Sequence, residues 1–240
     1  IPDNSSLIMD LKNKVVLITG ASRGIGEAFA QIFAEEGCRL VLCARDPTHR
    51  LKGQELQFRK KGIKCVTVRA DITKKEDVHN VVETAMKAFG RIDILINNAG
   101  YATYKPLIET SDGEFKETMD VNVKGVFLFS REVLPIMEQQ QQGLIITVSS
   151  ISGKAGMWGL TVYCGSKFAV EGFTQSLAQE VKGDIKVCTV CPGPVNTDMY
   201  RDNSPEEDYS KIDQPRDIAE RVLKLIQKGI TNGASYTVGS

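Results

Sequence analysis

Short apolar segments rich in β-branched residues recur along the chain, and amphipathic stretches separate them. These segments do not alternate strictly between apolar and polar residues, which is typical of strands covered on both faces. Amphipathic stretches between such strands predict helices that join parallel strands by right-handed crossovers. The pattern therefore predicts an α/β fold, a Rossmann-type doubly wound parallel sheet flanked by helices. The predicted strands are residues 15–19, 40–43, 65–68, 92–96, 144–149, 187–190 and, more weakly, 234–238.

The first predicted helix follows the first strand. Ile25, Phe29, Ile32 and Phe33 fall on one apolar stripe, and Gly37 follows as the expected C-terminal cap. We see no repeat, linker or second domain, so residues 1–240 are expected to form one domain. Residues 196–214 differ from the rest because they are polar, contain proline and are poorly periodic. A connection of that length is either a functional lid or disordered, and we expect a substrate lid.

Composition narrows the function classes. Thirty basic and thirty acidic residues cancel, so neither nucleic acid nor an anionic membrane is an expected partner. The apolar segments are strand-sized, far short of the ~20 residues of a membrane-spanning helix. Six scattered cysteines indicate the cytoplasm or another reducing compartment. The chain begins without methionine, so a targeting leader remains an open question.

Two further patterns argue against metal and triad chemistry. Cys188 and Cys191 form a C-x-x-C, but no second cysteine pair or histidine cluster completes a zinc site. Buried free thiols are the preferred interpretation. With His49 and His79 as the only histidines, a histidine-based catalytic triad is not expected.

A glycine-rich turn joins the first strand to the first helix in the segment VVLITGASRGIG. Gly20, Gly24 and Gly26 permit a tight turn and let a pyrophosphate approach backbone N–H groups at a helix N-terminus. The spacing is G-x-x-x-G-x-G, and its place between strand and helix makes it a strong signal. The alternative is a glycine-rich turn without a ligand.

A tyrosine and a lysine stand four residues apart in TVYCGSK, at Tyr163 and Lys167. On a helix the two side chains would share a face, and a neighbouring cation favours a phenolate. The same spacing recurs at Tyr101 and Lys105, where Pro106 disfavours a helical conformation. Spacing alone therefore does not establish chemistry for the Tyr163 pair.

Six ordered motifs together resemble the short-chain dehydrogenase/reductase family over nearly the whole chain. They are the cofactor turn at Thr19 to Gly26, which includes Ser22, Arg23 and Ile25; the N-N-A-G of Asn97, Asn98, Ala99 and Gly100; Asn122 in MDVNVKG; Ser150 in ITVSSISG; Tyr163 with Lys167; and the P-G-x-x-x-T of Pro192, Gly193 and Thr197. Such an ordered set is far more specific than any one member. Mild departures are Cys164 and Gly165 between the tyrosine and the lysine, and a short final segment.

The resemblance implies a mechanism for carbonyl reduction. Negative charge that develops on the carbonyl oxygen must be stabilised and protonated. Tyr163 would donate the proton, and Ser150 would hydrogen-bond the same oxygen. Lys167 would lower the pKa of the phenol and hold the nicotinamide ribose, while Asn122 would link the lysine to water as a proton relay. Asn98, Ala99 and Gly100 would line the nicotinamide side, although the asparagines could equally be structural.

Cofactor choice depends on the end of the second strand. An acidic residue there suits the ribose 2'-OH of NAD, whereas an arginine suits the 2'-phosphate of NADP. Ala44 occupies the acidic position and Arg45 follows, with Arg23 as a second cation, so NADP(H) is the expected cofactor. Asp46 would argue for NAD if the alignment shifted by one or two residues. Asp71 matches the family position that bonds the adenine amino group.

The leading prediction is an NADPH-dependent carbonyl reductase acting on a small-molecule carbonyl or alcohol. A 3-oxoacyl-thioester reductase would use the same site, but Glu206, Glu207 and Asp208 offer no basic patch for a carrier protein. A non-catalytic NADP-binding sensor or scaffold predicts the loss of a catalytic residue, and none is missing. A sugar-nucleotide epimerase needs a different glycine turn and a larger C-terminal domain. Candidates for the substrate wall are Tyr101, Ser152, Trp158 and Met199, each of which could equally be packing. The resemblance implies a homodimer or homotetramer.

Overall fold

The computed structural model describes residues 10–45, 49–204 and 208–239. Its centre is a seven-stranded sheet in which every pair of neighbouring strands is parallel, in the order β3-β2-β1-β4-β5-β6-β7. The strands are β1 Val15–Thr19, β2 Arg39–Ala44, β3 Cys65–Arg69, β4 Ile94–Asn97, β5 Gln142–Val148, β6 Asp184–Cys191 and β7 Ser235–Thr237. Each overlaps a strand predicted from the sequence, and the predicted α/β class is confirmed.

Helices cover both faces of the sheet. They are α1 Gly24–Glu35, α2 Arg50–Lys60, α3 Lys75–Phe89, α4 Asp112–Met119, α5 Gly125–Gln140, α6 Thr161–Glu180, α7 Asp198–Asn203 and α8 Pro215–Lys228. A π-helical turn, Asp120–Lys124, joins α4 to α5. The predicted first helix ends as expected, because Gly37 adopts a positive φ of 76° and its N–H bonds the carbonyl of Ala34.

The strand residues divide between two apolar cores. Val16 and Ile18 of β1 pack with α1, α2 and α8, whereas Val15 and Leu17 pack with α3, α5 and α6. Every residue of β1 is buried, which explains why the strand lacks polar alternation. The two cores make the fold doubly wound.

The order of the strands reverses at β1. The chain moves outward from β1 to β2 and β3, then returns to β4 on the other side of β1. The loops that leave β1 and β4 diverge at this point and open a crevice at the carboxyl edge of the sheet. Both loops carry motifs identified in the sequence, namely the glycine turn and N-N-A-G.

Within the described ranges, none of the helices is long and apolar enough to cross a membrane. The same part of the chain contains no cluster of His, Cys, Asp and Glu that could hold a metal ion.

All six cysteines are described, and each is buried and free. Burial raises the pKa of Cys38, Cys43, Cys65 and Cys188 to about 12, so these thiols are protonated and unreactive at neutral pH.

Candidate active site

The glycine turn packs directly against the loop that follows β4. A Cβ on Gly20 would lie 2.8 Å from the Cα of Ala99, and Gly20 has a positive φ of 66°. A Cβ on Gly26 would lie 2.3 Å from the carbonyl oxygen of Gly20. Neither position has room for a side chain, so both glycines are required for the shape of the turn. Gly26 is buried behind the turn and shapes the site from there.

Asn98 locks the same two loops together. Its side-chain amide donates to the carbonyl oxygen of Thr19 at 2.9 Å and to that of Gly20 at 3.3 Å. The Thr19 hydroxyl accepts from the N–H groups of Asn98 and Ala99. Asn98 therefore has the structural role that the sequence left open for the asparagines of N-N-A-G. Asn97 is also structural, because its buried amide donates to the hydroxyl of Ser130.

One cavity of about 820 Å³ runs along the crevice. It brings together sixteen of the predicted site residues, which come from the glycine turn, the ends of β2 and β3, the N-N-A-G loop and the segments around β5, α6 and β6. These are Gly20, Ser22, Arg23, Gly24, Ile25, Arg45, Asp71, Asn98, Ala99, Gly100, Ser150, Tyr163, Lys167, Pro192, Gly193 and Thr197. The other two, Gly26 and Asn122, lie buried behind this wall.

Tyr163 is placed by the first turn of α6, which begins at Thr161. Burial is the main influence on its phenol and raises its pKa above the usual value near 10. The neighbouring phenol of Tyr104 acts in the same direction, and a hydrogen bond with Ser150 opposes it. The phenol is therefore protonated at neutral pH. The net shift is opposite to the one expected from Lys167, because the loss of hydration outweighs the hydrogen bond with Ser150.

Lys167 lies one turn beyond Tyr163 on the buried face of α6. Its ammonium donates to the carbonyl oxygen of Val148 at 2.9 Å and lies 5.5 Å from the centre of the Tyr163 ring. The helical spacing predicted from TVYCGSK is thus present, but the ammonium is anchored to the end of β5. Burial lowers the pKa of Lys167 to about 8, while Cys191 and Glu171 oppose the shift.

Ser150 follows the last residues of β5. Its hydroxyl accepts from the N–H of Ser152 at 3.1 Å, which fixes the oxygen at the start of a short 3₁₀ turn. The next residue, Ile151, donates its N–H to the carbonyl of Pro192. This bond joins the turn that carries Ser150 to the P-G-x-x-x-T segment after β6.

Asn122 occupies the π-helical turn between α4 and α5. Its side chain accepts from the N–H of Tyr101 at 2.8 Å and donates to the carbonyl of Tyr101 and the hydroxyl of Ser166, each at 2.9 Å. Asn122 therefore connects the loop after β4 to helix α6. A Cβ on Gly100 would lie 3.6 Å from Oδ1 of Asn122 and 3.9 Å from Nζ of Lys167, so the two polar groups adjoin the same glycine.

Cations gather at the other end of the cavity. Arg45 pairs with Glu117 at 3.2 Å, and Arg69 donates to the carbonyl oxygen of Arg45. Arg23 pairs with Asp198 at 3.1 Å. Asp71 accepts both the N–H and the hydroxyl of Thr73 on one carboxylate oxygen. Asp46, which would favour NAD, lies outside the described residues.

The expected lid is partly helical. Residues 198–203 form α7, capped by the Thr197 hydroxyl, which accepts from the N–H of Tyr200. Thr197 and Tyr200 both line the cavity. The poor periodicity of the sequence here reflects a helix of only six residues. Glu206 and Glu207 lie outside the described residues, whereas Asp208 caps a short turn.

The candidates for the substrate wall divide into two groups. Ser152 and Met199 line the cavity. Tyr101 packs against the apolar core, and Trp158 is 88% exposed, so these two do not form the wall. Tyr104 and Tyr200 take that place, with ring centres 6.5 Å apart at an interplanar angle of 83°.

Sequence patterns gave no signal for several residues of the site. Asp198 is one, because its ion pairs with Arg23 of the glycine turn and Arg50 of α2 arise only when the start of α7 packs against both. Glu171 is another, since it reads as an ordinary helical glutamate but is buried against β6 and β7. The sequence pointed to one member of the aromatic pair, because Tyr200 follows Met199, a candidate for the substrate wall, in the predicted lid.

The cavity fits a nicotinamide dinucleotide. It is continuous from Arg45 and Asp71, past a turn held open at Gly24 by a positive φ of 59°, to Tyr163 and Lys167. Backbone N–H groups at the start of α1 suit a pyrophosphate, a carboxylate suits an adenine amino group, and a lysine suits ribose hydroxyls. The donor set at each place thus matches one part of the cofactor.

Comparison with known sequences identifies relatives of this chain. A family model described as short chain dehydrogenase matches residues 14–208. An uncharacterised oxidoreductase of Staphylococcus saprophyticus is 40% identical over 209 residues, covering 85% of this chain and 83% of that protein. One of Staphylococcus aureus is 36% identical over 230 residues, 95% of this chain and 97% of that protein.

Solved structures agree with the sequence relatives. Levodione reductase superposes with a TM-score of 0.87 at 26% identity, over 95% of this chain and 96% of that one. A 3-ketoacyl-(acyl-carrier-protein) reductase from Brucella melitensis complexed with NADH gives 0.84 at 31% identity, over 95% and 97%. A putative NAD(P)-dependent gluconate 5-dehydrogenase from Beutenbergia cavernae with bound NADP gives 0.87 at 27% identity, over 95% and 96%. The chain is therefore an oxidoreductase that belongs to the short-chain dehydrogenase/reductase family.

Proposed function

We propose that the protein is an NADPH-dependent oxidoreductase that reduces a ketone or aldehyde carbonyl to an alcohol, reversibly, with Tyr163 as general acid. The observation that carries this proposal is the cavity itself, in which Ser150, Tyr163 and Lys167 lie in one wall with the glycine turn. The residues that suit a dinucleotide and the proposed proton donor thus line one cavity.

The nicotinamide cofactor, when bound, supplies the two electrons and the hydrogen that reduce the carbonyl carbon. The protein must then stabilise and protonate the carbonyl oxygen. Tyr163 holds its proton at neutral pH because burial raises its pKa, so it can donate to the oxygen. Ser150, fixed by the N–H of Ser152, offers a second hydrogen bond to the same oxygen.

Lys167 supplies a positive charge behind the phenol. Its anchor on Val148 keeps the ammonium on the side of the cavity where a ribose would bind. As Tyr163 gives up its proton, the nearby cation stabilises the phenolate that remains. Asn122 adjoins the same Gly100 as the lysine, which supports a role in which Asn122 would connect Lys167 to water as a proton relay.

NADP(H) is the proposed cofactor because the adenosine end of the cavity is cationic. Arg23 and Arg45 line it, and their side chains are more than half exposed. Ala44, also in the wall, offers no carboxylate to a ribose 2'-OH. Guanidinium groups bind phosphate bidentately, so both residues suit a 2'-phosphate. The structural relatives carry NADH in one case and NADP in another.

A 3-oxoacyl-thioester reductase, acting on an acyl carrier protein or CoA substrate, is the second candidate. Similarity to the Brucella reductase supports it. The lid offers less support, because Arg201 is engaged by Asp198 and Asn196 and Lys211 by Asp208. A non-catalytic NADP-binding sensor is a candidate of another class, and the complete Ser150, Tyr163 and Lys167 set weighs against it.

We also propose the domain organisation, the oligomeric state, the partner and the compartment of the protein. Residues 1–240 would form one dinucleotide-binding and catalytic domain, with a substrate lid at 196–214. A homodimer or homotetramer would form through α5 and α6, where Phe127 and Phe168 are 40% and 47% exposed. A small molecule is the expected partner, in the cytoplasm or another reducing compartment.

The first test is the oxidation of NADPH and of NADH, followed at the nicotinamide absorbance, against ketones, aldehydes, diketones and 3-oxoacyl thioesters. The proposal expects turnover of free carbonyl compounds with a lower KM for NADPH. Turnover confined to thioesters would favour the second candidate. Tight dinucleotide binding without reduction of any carbonyl would favour the sensor.

A further inference from the structure

The part of the cavity beyond Tyr163 is apolar and aromatic. Its wall is formed by Tyr104, Met157, Leu160, Met199 and Tyr200. None of these side chains is charged at neutral pH. The charged lining residues belong instead to the glycine turn, the ends of β2 and β3, and the starts of α2 and α7, apart from Lys167: they are Arg23, Arg45, Arg50, Arg69, Asp71 and Asp198.

The two tyrosines form a wall that is already assembled. Their rings meet edge to face, with centres 6.5 Å apart. Asn203, at the end of α7, accepts from the N–H of Tyr104 at 3.3 Å and donates to the carbonyl of Met199 at 2.7 Å. The first bond holds α7 against the loop after β4, and the second lies within α7 and fixes the Asn203 side chain. The aromatic faces are therefore ordered before a substrate enters, which lowers the entropic cost of binding one.

The wall lies beside the reacting group. Tyr104 is close enough to Tyr163 for the charge of one phenol to influence the other. The loop that carries Tyr104 is also joined to the segment before α6, because the N–H of Lys105 donates to the carbonyl of Gly159 at 2.7 Å. Tyr104 and Tyr163 also line the same cavity, so a group attached to a carbonyl at Tyr163 would lie close to Tyr104.

We propose that the preferred substrates are uncharged ketones whose carbonyl carries an aromatic or similarly flat ring, and that the ring packs against Tyr104, Tyr200 and the two methionines. Edge-to-face aromatic contacts and sulfur–aromatic contacts both favour such a ring over a flexible alkyl chain. The inference rests on the proposed carbonyl reductase function.

A carboxylate on the ring would be rejected. The cations next to the two tyrosines in the chain are already paired, Lys105 with Glu114 and Arg201 with Asp198. A buried carboxylate without a cationic partner loses its hydration without compensation. Selectivity against charge therefore follows from the same wall that favours a ring.

The test uses three ketones with the NADPH-loaded wild-type protein: acetophenone, 2-octanone with the same number of carbons, and 4-acetylbenzoate. We expect kcat/KM for acetophenone to exceed that for 4-acetylbenzoate by about 100-fold, and that for 2-octanone by about fivefold. Equal turnover of 4-acetylbenzoate, or a preference for 2-octanone, would overturn the inference. This comparison requires no substitution and so cannot fail through misfolding.

A variant adds the contribution of the aromatic pair. Tyr200→Leu should remove most of the preference for acetophenone over 2-octanone, because kcat/KM for acetophenone should fall by more than kcat/KM for 2-octanone. Phe115→Leu, on the exposed face of α4, is the matched control and should leave both rates unchanged. Retention of the full ring preference in Tyr200→Leu would contradict the proposed packing.

A binding measurement separates this inference from the proposed function. Calorimetry of 1-phenylethanol and of 4-(1-hydroxyethyl)benzoate with the NADPH-loaded protein needs no turnover. Saturable binding of the first alcohol and not of the second supports the apolar wall, even if no carbonyl in the panel is reduced. Equal binding of both, or of neither, would overturn the inference while leaving carbonyl reduction to the kinetic test.

Discussion

The ammonium nitrogen of Lys167 lies 5.5 Å from the centre of the Tyr163 ring, on the same buried side of α6. Burial acts on both groups in favour of their neutral forms. It raises the pKa of Tyr163 and lowers the pKa of Lys167 to about 8. The protein therefore holds a protonated acid beside a cation that is costly to bury, and this cost can be measured.

Lys167→Met should abolish turnover yet stabilise the fold at pH 7. A lysine whose pKa is about 8 when folded and 10.5 when unfolded binds fewer protons in the folded state. Folding is thus penalised at every pH below 8, and the penalty disappears as the pH rises toward 10.5. We expect a gain in unfolding free energy of about 3 kcal/mol at pH 7, measured by urea denaturation.

The exposed Lys224 provides the control for this stability measurement. Lys224→Met should change the unfolding free energy by less than about 0.5 kcal/mol at any pH between about 7 and 10.5. A Lys167→Met protein that is less stable at pH 7, or whose advantage grows above pH 8, would contradict a buried cationic lysine.

Glu171→Gln should lower the pH at which reduction begins to fail. Glu171 lies one turn after Lys167 on α6, is 6% exposed and accepts from Thr189, Cys191 and Ser235. Its negative charge favours the protonated form of Lys167, so its removal should lower the lysine pKa further. We expect the alkaline limb of kcat to move down by about half a pH unit.

The exposed Glu180 on the same helix gives the matched control, Glu180→Gln, whose pH profile should equal that of the wild type. The titratable neighbours of Lys167 that could mimic the effect are Tyr163 and Cys191, and both remain in each variant. A lower rate in Glu171→Gln with an unchanged profile would mean that the carboxylate acts through packing alone.

Arg45→Ser should weaken NADPH selectively. If Arg45 binds the 2'-phosphate, its loss removes a charge-assisted hydrogen bond that NADH does not make. We expect KM for NADPH to rise about tenfold or more and KM for NADH to change less than about twofold. Arg216→Ser, on the exposed face of α8 and outside the cavity, should alter neither. An equal rise for both dinucleotides would refute the role of Arg45 in discrimination.

Gly26→Ala should disrupt the glycine turn. Its Cβ would lie 2.3 Å from the Gly20 carbonyl and 2.5 Å from the Asn98 amide, so the turn must move. We expect loss of dinucleotide binding and a fall in unfolding free energy of about 1–3 kcal/mol. Gly53→Ala in α2, where the Cβ meets nothing within 4 Å, should instead stabilise by about 0.5–1 kcal/mol. Normal cofactor binding by Gly26→Ala would show that the turn is not required.

The elements of the fold were predictable because they depend on local patterns. The apolar segment at 15–19 predicted a strand, and that strand is fully buried. A Cβ on Gly20 or Gly26 would lie only 2.8 or 2.3 Å from its nearest neighbour, and these close approaches appear only in the assembled turn. The direction of the Tyr163 pKa was not predictable. A helical neighbour of opposite charge is visible in the sequence, whereas the depth of burial depends on the whole fold.

The environment of the site was also hidden from the sequence. Asp198 meets Arg23 across 175 positions of chain, and Glu171 meets Ser235 across 64. Each of these contacts depends on how the lid or the last strand packs. Tyr104 gained its place in the substrate wall because Asn203 holds its loop to α7.

The most direct test of the central claim is a single-turnover measurement of NADPH oxidation by acetophenone in the wild type, in Tyr163→Phe and in the control Tyr236→Phe, with NADPH affinity measured on the same samples. Tyr163→Phe should reduce the rate by about 1000-fold, leave the NADPH Kd within about twofold of the wild type, and differ from an unaffected Tyr236→Phe. A Tyr163→Phe rate within tenfold of the wild type would contradict the assignment of Tyr163 as the proton donor.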